Sequence, residues 1–139
     1  MKYRKVLIID DAQIDRYMAE KMMKKYEFSN EIITVESAMD ALELLESFKT
    51  NPEALPDLIF LDINMPQMNG FDFLDEYEKL PELIRKKCII IMLSSSLHPE
   101  DRQRALQNPH VFTFLSKPIN AEKLRELCEM TSTGSNNLM

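Results

Sequence analysis

Short apolar runs that do not alternate with polar residues recur along this chain, and they limit its possible folds more than any other feature. Three clear runs lie at residues 6–9, 58–61 and 89–93, and two weaker ones lie at residues 32–35 and 111–115. A continuous apolar run of this length is typical of a strand buried on both faces, as in a parallel sheet that is covered by helices. The sequence therefore predicts five such strands.

Helical patterns separate these runs. The clearest spans residues 37–48, where apolar side chains recur at helical spacing, and similar patterns lie at residues 14–22, after Gly70, after Pro99 and from Asn120 onward. Parallel strands joined through helices need crossover connections, which are right-handed in nearly all proteins. We therefore expect an α/β fold, a doubly wound five-stranded parallel sheet with helices on both faces.

Length and charge exclude several classes of protein. The 139 residues suit one domain, which we place at residues 1–130, followed by a polar C-terminal tail at residues 131–139 that we expect to be disordered and that is too short for an effector domain. The net charge of -6 argues against a direct nucleic-acid partner. Because no stretch approaches the roughly 20 apolar residues of a membrane span and no signal segment precedes the first strand, we expect a cytoplasmic protein without membrane insertion.

Polar and charged residues stand where the predicted strands end. Asp10 and Asp11 follow the first strand, Asp62 follows the third, Ser94 closes the fourth, and Lys117 lies just past the fifth. Ligands of an open parallel sheet bind beyond the carboxyl ends of its strands. We therefore expect all of these side chains to face one crevice.

Three carboxylates in one crevice repel one another and push at least one pKa upward, so positive charge has to compensate. Lys117 supplies one ammonium group. Ligands that are all carboxylate oxygens suit a hard divalent cation such as Mg²⁺, or Mn²⁺ in its place. Since no His or Cys is near these acids in the sequence pattern, zinc is disfavoured.

Four motifs stand at the strand ends in order. They are Ile-Ile-Asp-Asp at residues 8–11, Asp-Ile-Asn-Met-Pro-Gln-Met-Asn-Gly at 62–70, Leu-Ser-Ser at 93–95 and Lys-Pro at 117–118. With these motifs the chain resembles a response-regulator receiver domain, of the single-domain type found among chemotaxis regulators, over nearly its whole length. The resemblance implies a flavodoxin-like fold with strand order 2-1-3-4-5.

The resemblance also implies a role for each acid. Asp62 would be the phosphoacceptor, which becomes an aspartyl phosphate. Asp10 or Asp11, together with Asp62 and the backbone carbonyl of Asn64, would hold Mg²⁺. A carboxylate can act as a covalent nucleophile toward phosphorus, so this role agrees with the chemistry of the residue.

The remaining residues would form the switch. Lys117 would pair with the phosphoryl group, and Ser94 would supply a hydroxyl that moves to hydrogen-bond a phosphoryl oxygen. Phe114 would be the aromatic residue that rotates inward behind it. The metal and the lysine would stabilise charge on the oxygens of the transferring group.

As a whole, the resemblance implies a stand-alone response regulator of a two-component system. A histidine kinase or a histidine phosphotransfer protein would donate the phosphoryl group, and a separate effector protein would read the signal by contact. The chain would not be an enzyme with a separate substrate but a phosphoacceptor that catalyses its own phosphorylation and dephosphorylation.

Other functions use similar residues. The protein could be a phosphorelay intermediate or a phosphate sink, or a pseudo-receiver that binds partners without being phosphorylated, although a pseudo-receiver should lack part of the acid, Ser and Lys set. A hydrolase of the haloacid dehalogenase type also has an Asp nucleophile after a strand. That family requires a second Asp two residues on, where this chain has Asn64.

Overall fold

The structure, a computed structural model, describes residues 3–95 and 98–137. Its strands are Tyr3–Ile9 (β1), Ser29–Val35 (β2), Leu58–Asp62 (β3), Ile89–Ser94 (β4) and Val111–Ser116 (β5). They form one sheet in the order β2-β1-β3-β4-β5, and every neighbouring pair is parallel. The predicted fold class and strand order are therefore confirmed.

The helices pack on both faces of the sheet. They are Gln13–Lys25 (α1), Ala38–Ser47 (α2), Gly70–Tyr77 (α3), Glu82–Lys87 (α4), Pro99–Gln107 (α5) and Ala121–Asn137 (α6), with a short 3-10 helix at Pro52–Ala54. The sequence pattern did not predict α4, because this helix buries only Ile84 and so has no apolar stripe. Within residues 3–95 and 98–137, no helix is long and apolar enough to cross a membrane.

The C-terminal helix extends beyond the predicted domain boundary at residue 130. Its backbone is helical to Asn137, within the predicted tail at residues 131–139, and residues 138–139 lie outside the described residues. Thr131 is buried because its hydroxyl group contacts the hydroxyl of Tyr3 and the carbonyl of Leu127. The polar composition of the tail hid this contact, which joins α6 to the first residue of β1.

Alternate side chains of the central strands fill two apolar layers. On one face, Leu7, Ile9, Ile59 and Leu61 are fully buried against α2 and α3. On the other face, Val6, Ile8, Leu58 and Phe60 are buried with apolar residues of α1 and α6. Helices cover both faces of the sheet, which explains why the apolar runs of the sequence are unbroken. The close packing also fixes the positions of the strand ends.

The register of the sheet brings distant residues to one edge. Ile9 of β1 is aligned with Leu61 of β3, so the next residues, Asp10 and Asp62, lie side by side. Across β4, Ser94 is aligned with Ser116, the residue before Lys117. The strand ends therefore supply two acids and a lysine to the same edge.

Gly70, the first residue of α3, packs tightly against the end of β3. A Cβ atom at this position would lie 2.8 Å from the carbonyl oxygen of Asp62 and 3.0 Å from the Cα of Ile63. Both are backbone atoms, so they cannot rotate away. We predict that Gly70→Ala lowers the free energy of unfolding by about 1–3 kcal/mol, despite the roughly 0.5–1 kcal/mol that alanine usually gains over glycine in a helix.

Denaturant unfolding monitored by circular dichroism would measure this change. A change at Met92 tests whether the backbone contacts cause the loss of stability. The Met92 Cε atom would also lie 2.9 Å from the added Cβ, but it belongs to a flexible side chain. Shortening Met92 in the Gly70→Ala background should not restore stability, since the backbone contacts remain. A Gly70→Ala protein as stable as the wild type would contradict the packing argument.

Candidate functional site

Three acids meet at the carboxyl edge of the sheet. One carboxylate oxygen of each of Asp10, Asp11 and Asp62 lies within 4.8 Å of the other two. Asp10 and Asp62 are buried, whereas Asp11 is exposed. The structure therefore brings together the acids that the sequence placed in one crevice.

Lys117 reaches into this cluster from beyond β5. Its Nζ atom lies 2.7 Å from Oδ2 of Asp10, 2.9 Å from Oδ2 of Asp15 and 3.3 Å from Oδ1 of Asp62. Its backbone amide donates to the carbonyl of Ser94 at 2.9 Å, and its peptide bond to Pro118 is cis. The lysine is thus tied to β4 by its backbone and to the acids by its side chain.

Asp10 is fixed by several hydrogen bonds. Its Oδ1 atom accepts from the backbone amide of Ala12 at 2.9 Å. The Nη1 atom of Arg16 donates to the Asp10 carbonyl at 2.7 Å, and the Arg16 guanidinium lies 3.8 Å from the carboxylate of Glu36. These bonds hold Asp10 and the start of α1 in one arrangement.

The environment of Asp62 opposes its ionisation. Burial, followed by the negative charge of Asp10, raises the pKa of Asp62 to about 6, although Lys117 and the backbone amide of Asn64 act in the other direction. A carboxylate that is only partly compensated has a strong tendency to bind a proton or a metal cation. Lys117 therefore offsets only part of the cost of burying the Asp62 charge.

Lys117 itself stays charged. Its burial alone would lower the pKa of the ammonium group, but hydrogen bonds to Asp10 and Asp15, and the charge of Asp62, outweigh burial and raise that pKa above its ordinary value. The cluster thus combines a permanent ammonium group with a carboxylate that is easily protonated. Perturbed groups of this kind concentrate at functional sites.

The other predicted site residues lie around this cluster. Ser94 is fully buried at the end of β4, one residue beyond Leu93, which is aligned with Asp62. Phe114 is buried on β5, and the guanidinium carbon of Arg102 lies 5.7 Å from its ring centroid. Asn64 lies in the loop after β3, with its backbone amide directed at the Asp62 carboxylate. The roles suggested for Ser94, Phe114 and the Asn64 carbonyl stay predictions.

Sequence reasoning missed Asp15. The apolar pattern at residues 14–22 indicated an inward stripe, yet Ile14, Tyr17 and Met18 are each more than half exposed. The helix instead buries Ala19 and Met23. Asp15 lies one helical turn before Ala19, so it points toward the crevice, and a correctly oriented α1 would have revealed it.

The donor set fits a divalent cation. All three clustered ligands are carboxylates, and Mg²⁺ and Mn²⁺ favour oxygen ligands. Burial, and after it the negative charge of Asp10, raises the pKa of Asp62, so a cation beside this carboxylate would stabilise its charged form. The residues present therefore suit Mg²⁺ or Mn²⁺.

The structure thus has an all-parallel α/β sheet with three acids and a lysine at its carboxyl edge, which is the arrangement that the four sequence motifs predicted. A family model for the response regulator receiver domain matches residues 6–129, so this chain belongs to that family. The sensor histidine kinase CheAY of Helicobacter pylori is 34% identical over 119 residues, which are 86% of this chain but 14% of that protein. The chain thus spans a small part of CheAY.

Solved structures of a response regulator and of a receiver domain are similar to this chain. The two component response regulator from Cytophaga hutchinsonii is 31% identical, with a TM-score of 0.86, over 93% of this chain and 96% of that one. The receiver domain of the histidine kinase CKI1 from Arabidopsis thaliana, complexed with Mg²⁺ and BeF3⁻, is 26% identical, with a TM-score of 0.76, over 93% of this chain and 90% of that one. The resemblance noted in the sequence is confirmed.

The raised pKa of Asp62 has a consequence for stability. Below about pH 4 this carboxyl is protonated in both the folded and the unfolded chain. As the pH rises from about 4 to about 6, the unfolded chain has released this proton while the folded chain still holds it, so stability falls, and the cost is complete above the folded-state pKa. We predict that Asp62→Asn stabilises the metal-free protein by about 1–3 kcal/mol at pH 8 and by almost nothing at pH 4.

Thermal unfolding in the presence of a chelator at the two pH values measures this difference. Asp75→Asn is the matched control, because Asp75 is exposed on α3 and should show no such pH-dependent gain. Equal stabilisation by Asp62→Asn at both pH values would show that burial of the charge is not its cause.

Proposed function

We propose that this protein is a stand-alone response regulator that accepts a phosphoryl group on Asp62 from a phosphohistidine donor. The observation that carries the proposal is the contact of one ammonium group with two buried carboxylates, 2.7 Å from Asp10 and 3.3 Å from Asp62. This arrangement provides a nucleophile and a positive charge at the same point. Such a pair is what phosphoryl transfer to a carboxylate requires.

A bound divalent cation is part of the proposed function. Asp10, Asp11, Asp62 and the backbone carbonyl of Asn64 would hold Mg²⁺ or Mn²⁺, and the bound cation would neutralise charge on the phosphoryl oxygens. The acid cluster supports this assignment. The structure of the CKI1 receiver domain with Mg²⁺ and BeF3⁻ supports it further.

The chain's own residues carry the transfer. A carboxylate oxygen of Asp62 attacks phosphorus, the bond between phosphorus and the donor nitrogen breaks, and the electron pair of that bond leaves with the donor imidazole. Lys117 donates a hydrogen bond to an oxygen of the moving group, which stabilises the transition state. Attack of water on the same phosphorus later returns the Asp62 carboxylate, so the protein would catalyse its own dephosphorylation.

The phosphoryl group then supplies new acceptors. The Ser94 hydroxyl would hydrogen-bond one of its oxygens, and Phe114 would occupy the space behind Ser94. To convert a mostly inactive population into a mostly active one, these new bonds have to favour the active state by roughly 5 kcal/mol. The buried position of both side chains supports a coupled movement.

The signal would pass by protein contact. Leu106 of α5 and Phe112 of β5 are exposed apolar side chains, and they suit a separate effector that binds the surface of α5, β5 and α6. The donor would be a histidine kinase or a histidine phosphotransfer protein, and the compartment would be the cytoplasm. A relay or phosphate-sink role would use the same chemistry.

A labelling experiment tests the proposal. With Mg²⁺ and a small donor such as acetyl phosphate, the purified protein should acquire one acid-stable, base-labile phosphoryl group, because an acyl phosphate forms on Asp62. Asp62→Asn should abolish labelling, and Asp75→Asn on exposed α3 should retain it. Intact-protein mass spectrometry counts the groups.

Labelling of Asp62→Asn at the wild-type level would refute the site. A wild-type protein that binds Mg²⁺ but never becomes labelled would favour the pseudo-receiver alternative.

The role proposed for Lys117 can be tested separately from metal binding. We predict that Lys117→Ala still binds Mg²⁺, because the proposed ligands are the acids, but that its conformational response to the phosphoryl mimic BeF3⁻ is at least severalfold weaker. Chemical-shift changes in NMR spectra of the two proteins measure the response. Lys79→Ala removes an exposed lysine two residues after α3 and is the control. Equal shifts in Lys117→Ala and wild type would contradict the role.

A further inference from the structure

Asp15 forms an ion pair with Lys117 but is not one of the three clustered acids. Its Oδ2 atom lies 2.9 Å from Nζ of Lys117, closer than the 3.3 Å that separates Nζ from Oδ1 of Asp62. Its side chain is 42% exposed, against 3% for Asp10 and 5% for Asp62. Asp15 therefore pairs with the lysine from the solvent side of the crevice.

The ammonium group of a lysine has three hydrogen-bond donors. Lys117 directs its group at three carboxylates, of which Asp10 and Asp62 are members of the acid cluster and Asp15 is not. A cation in the cluster would draw the first two carboxylates toward itself. Asp15 is then the carboxylate that can keep the ammonium group.

We propose that Asp15 is a positioning residue that anchors the Lys117 ammonium and so releases Asp10 and Asp62 to bind the divalent cation. This inference rests on the proposed function, because it concerns the same pocket. Without Asp15, the ammonium pairs with the two buried acids alone, and an arriving cation has to displace it. With Asp15, the lysine keeps an ionic partner while the cation binds.

The position of Asp15 in α1 suits this role. It lies in the first turn of the helix, where a negative side chain is favoured by the helix dipole. The neighbouring Arg16 bonds the carbonyl of Asp10 at 2.7 Å, so the start of α1 is held against the end of β1. The anchor is therefore fixed relative to the acids that it would release.

Calorimetric titration with Mg²⁺ tests the inference without phosphorylation. Asp15→Ala should bind Mg²⁺ up to about fivefold more weakly, the upper end of the range for one partly exposed ion pair. Asp15→Glu, which keeps the charge, should recover part of the affinity. Glu20→Ala is the matched control, since it removes one negative charge from the same helix but breaks a pair with Lys24 at 2.8 Å instead.

Labelling kinetics give a second measurement. In Asp15→Ala, the Mg²⁺ concentration for half-maximal labelling should rise by the same factor, while the rate at saturating Mg²⁺ changes by less than about twofold. A merely structural role would lower the melting temperature and the rate at every Mg²⁺ concentration.

The outcomes separate the two proposals. A folded Asp15→Ala protein that binds Mg²⁺ as tightly as the wild type would overturn the role of Asp15, whether or not the protein is labelled. A wild type that binds Mg²⁺ without being labelled would overturn the proposed function, while calorimetry would still decide on Asp15. A wild type without Mg²⁺ affinity would overturn both.

Discussion

The fold brings Lys117 into contact with two buried carboxylates, and these ion pairs make their burial possible. Burial of Asp10 and Asp62 would cost several kcal/mol per charge without a partner. The lysine that offsets this cost comes from the end of β5, separated from β3 by a whole strand. Covered sheet faces and a strict register are what bring these three groups to one point.

The compensation is incomplete, and this deficit gives the pocket its chemistry. Burial, and after it the negative charge of Asp10, raises the pKa of Asp62 to about 6 even though the ammonium group is in contact with it. A buried carboxylate that lowers folding stability in this way is also one whose charged form a divalent cation would stabilise. In the proposed function, stability is thus exchanged for a cation site beside the nucleophile, as is common at functional sites.

How far the sequence predicted this arrangement depends on how local each signal is. Continuous apolar runs predicted the sheet, and the position of Asp62 or Lys117 relative to a strand end predicted the crevice. Asp15 could not be found in this way, because its place depends on the rotation of α1 about its axis. The large apolar side chain of Tyr17 indicated one buried face, but the smaller Ala19 marks the true one. Likewise, Thr131 is buried with its hydroxyl group in contact with Tyr3 and with the carbonyl of Leu127, which composition does not reveal.

The contacts of Lys117 also connect a chemical change at Asp62 with helices and strands outside the pocket. Its side chain contacts Asp15 at the start of α1, and its backbone amide bonds the carbonyl of Ser94 on β4. In the proposed function, a phosphoryl group offers the lysine a new partner, so the balance of its contacts with α1 and with the acids changes together. Phe114 lies on β5, three residues before the lysine, and packs beside Arg102 of α5. A change of ion pairing at one side chain can therefore alter both α1 and the face of α5 and β5, because a close-packed interior transmits displacement instead of absorbing it.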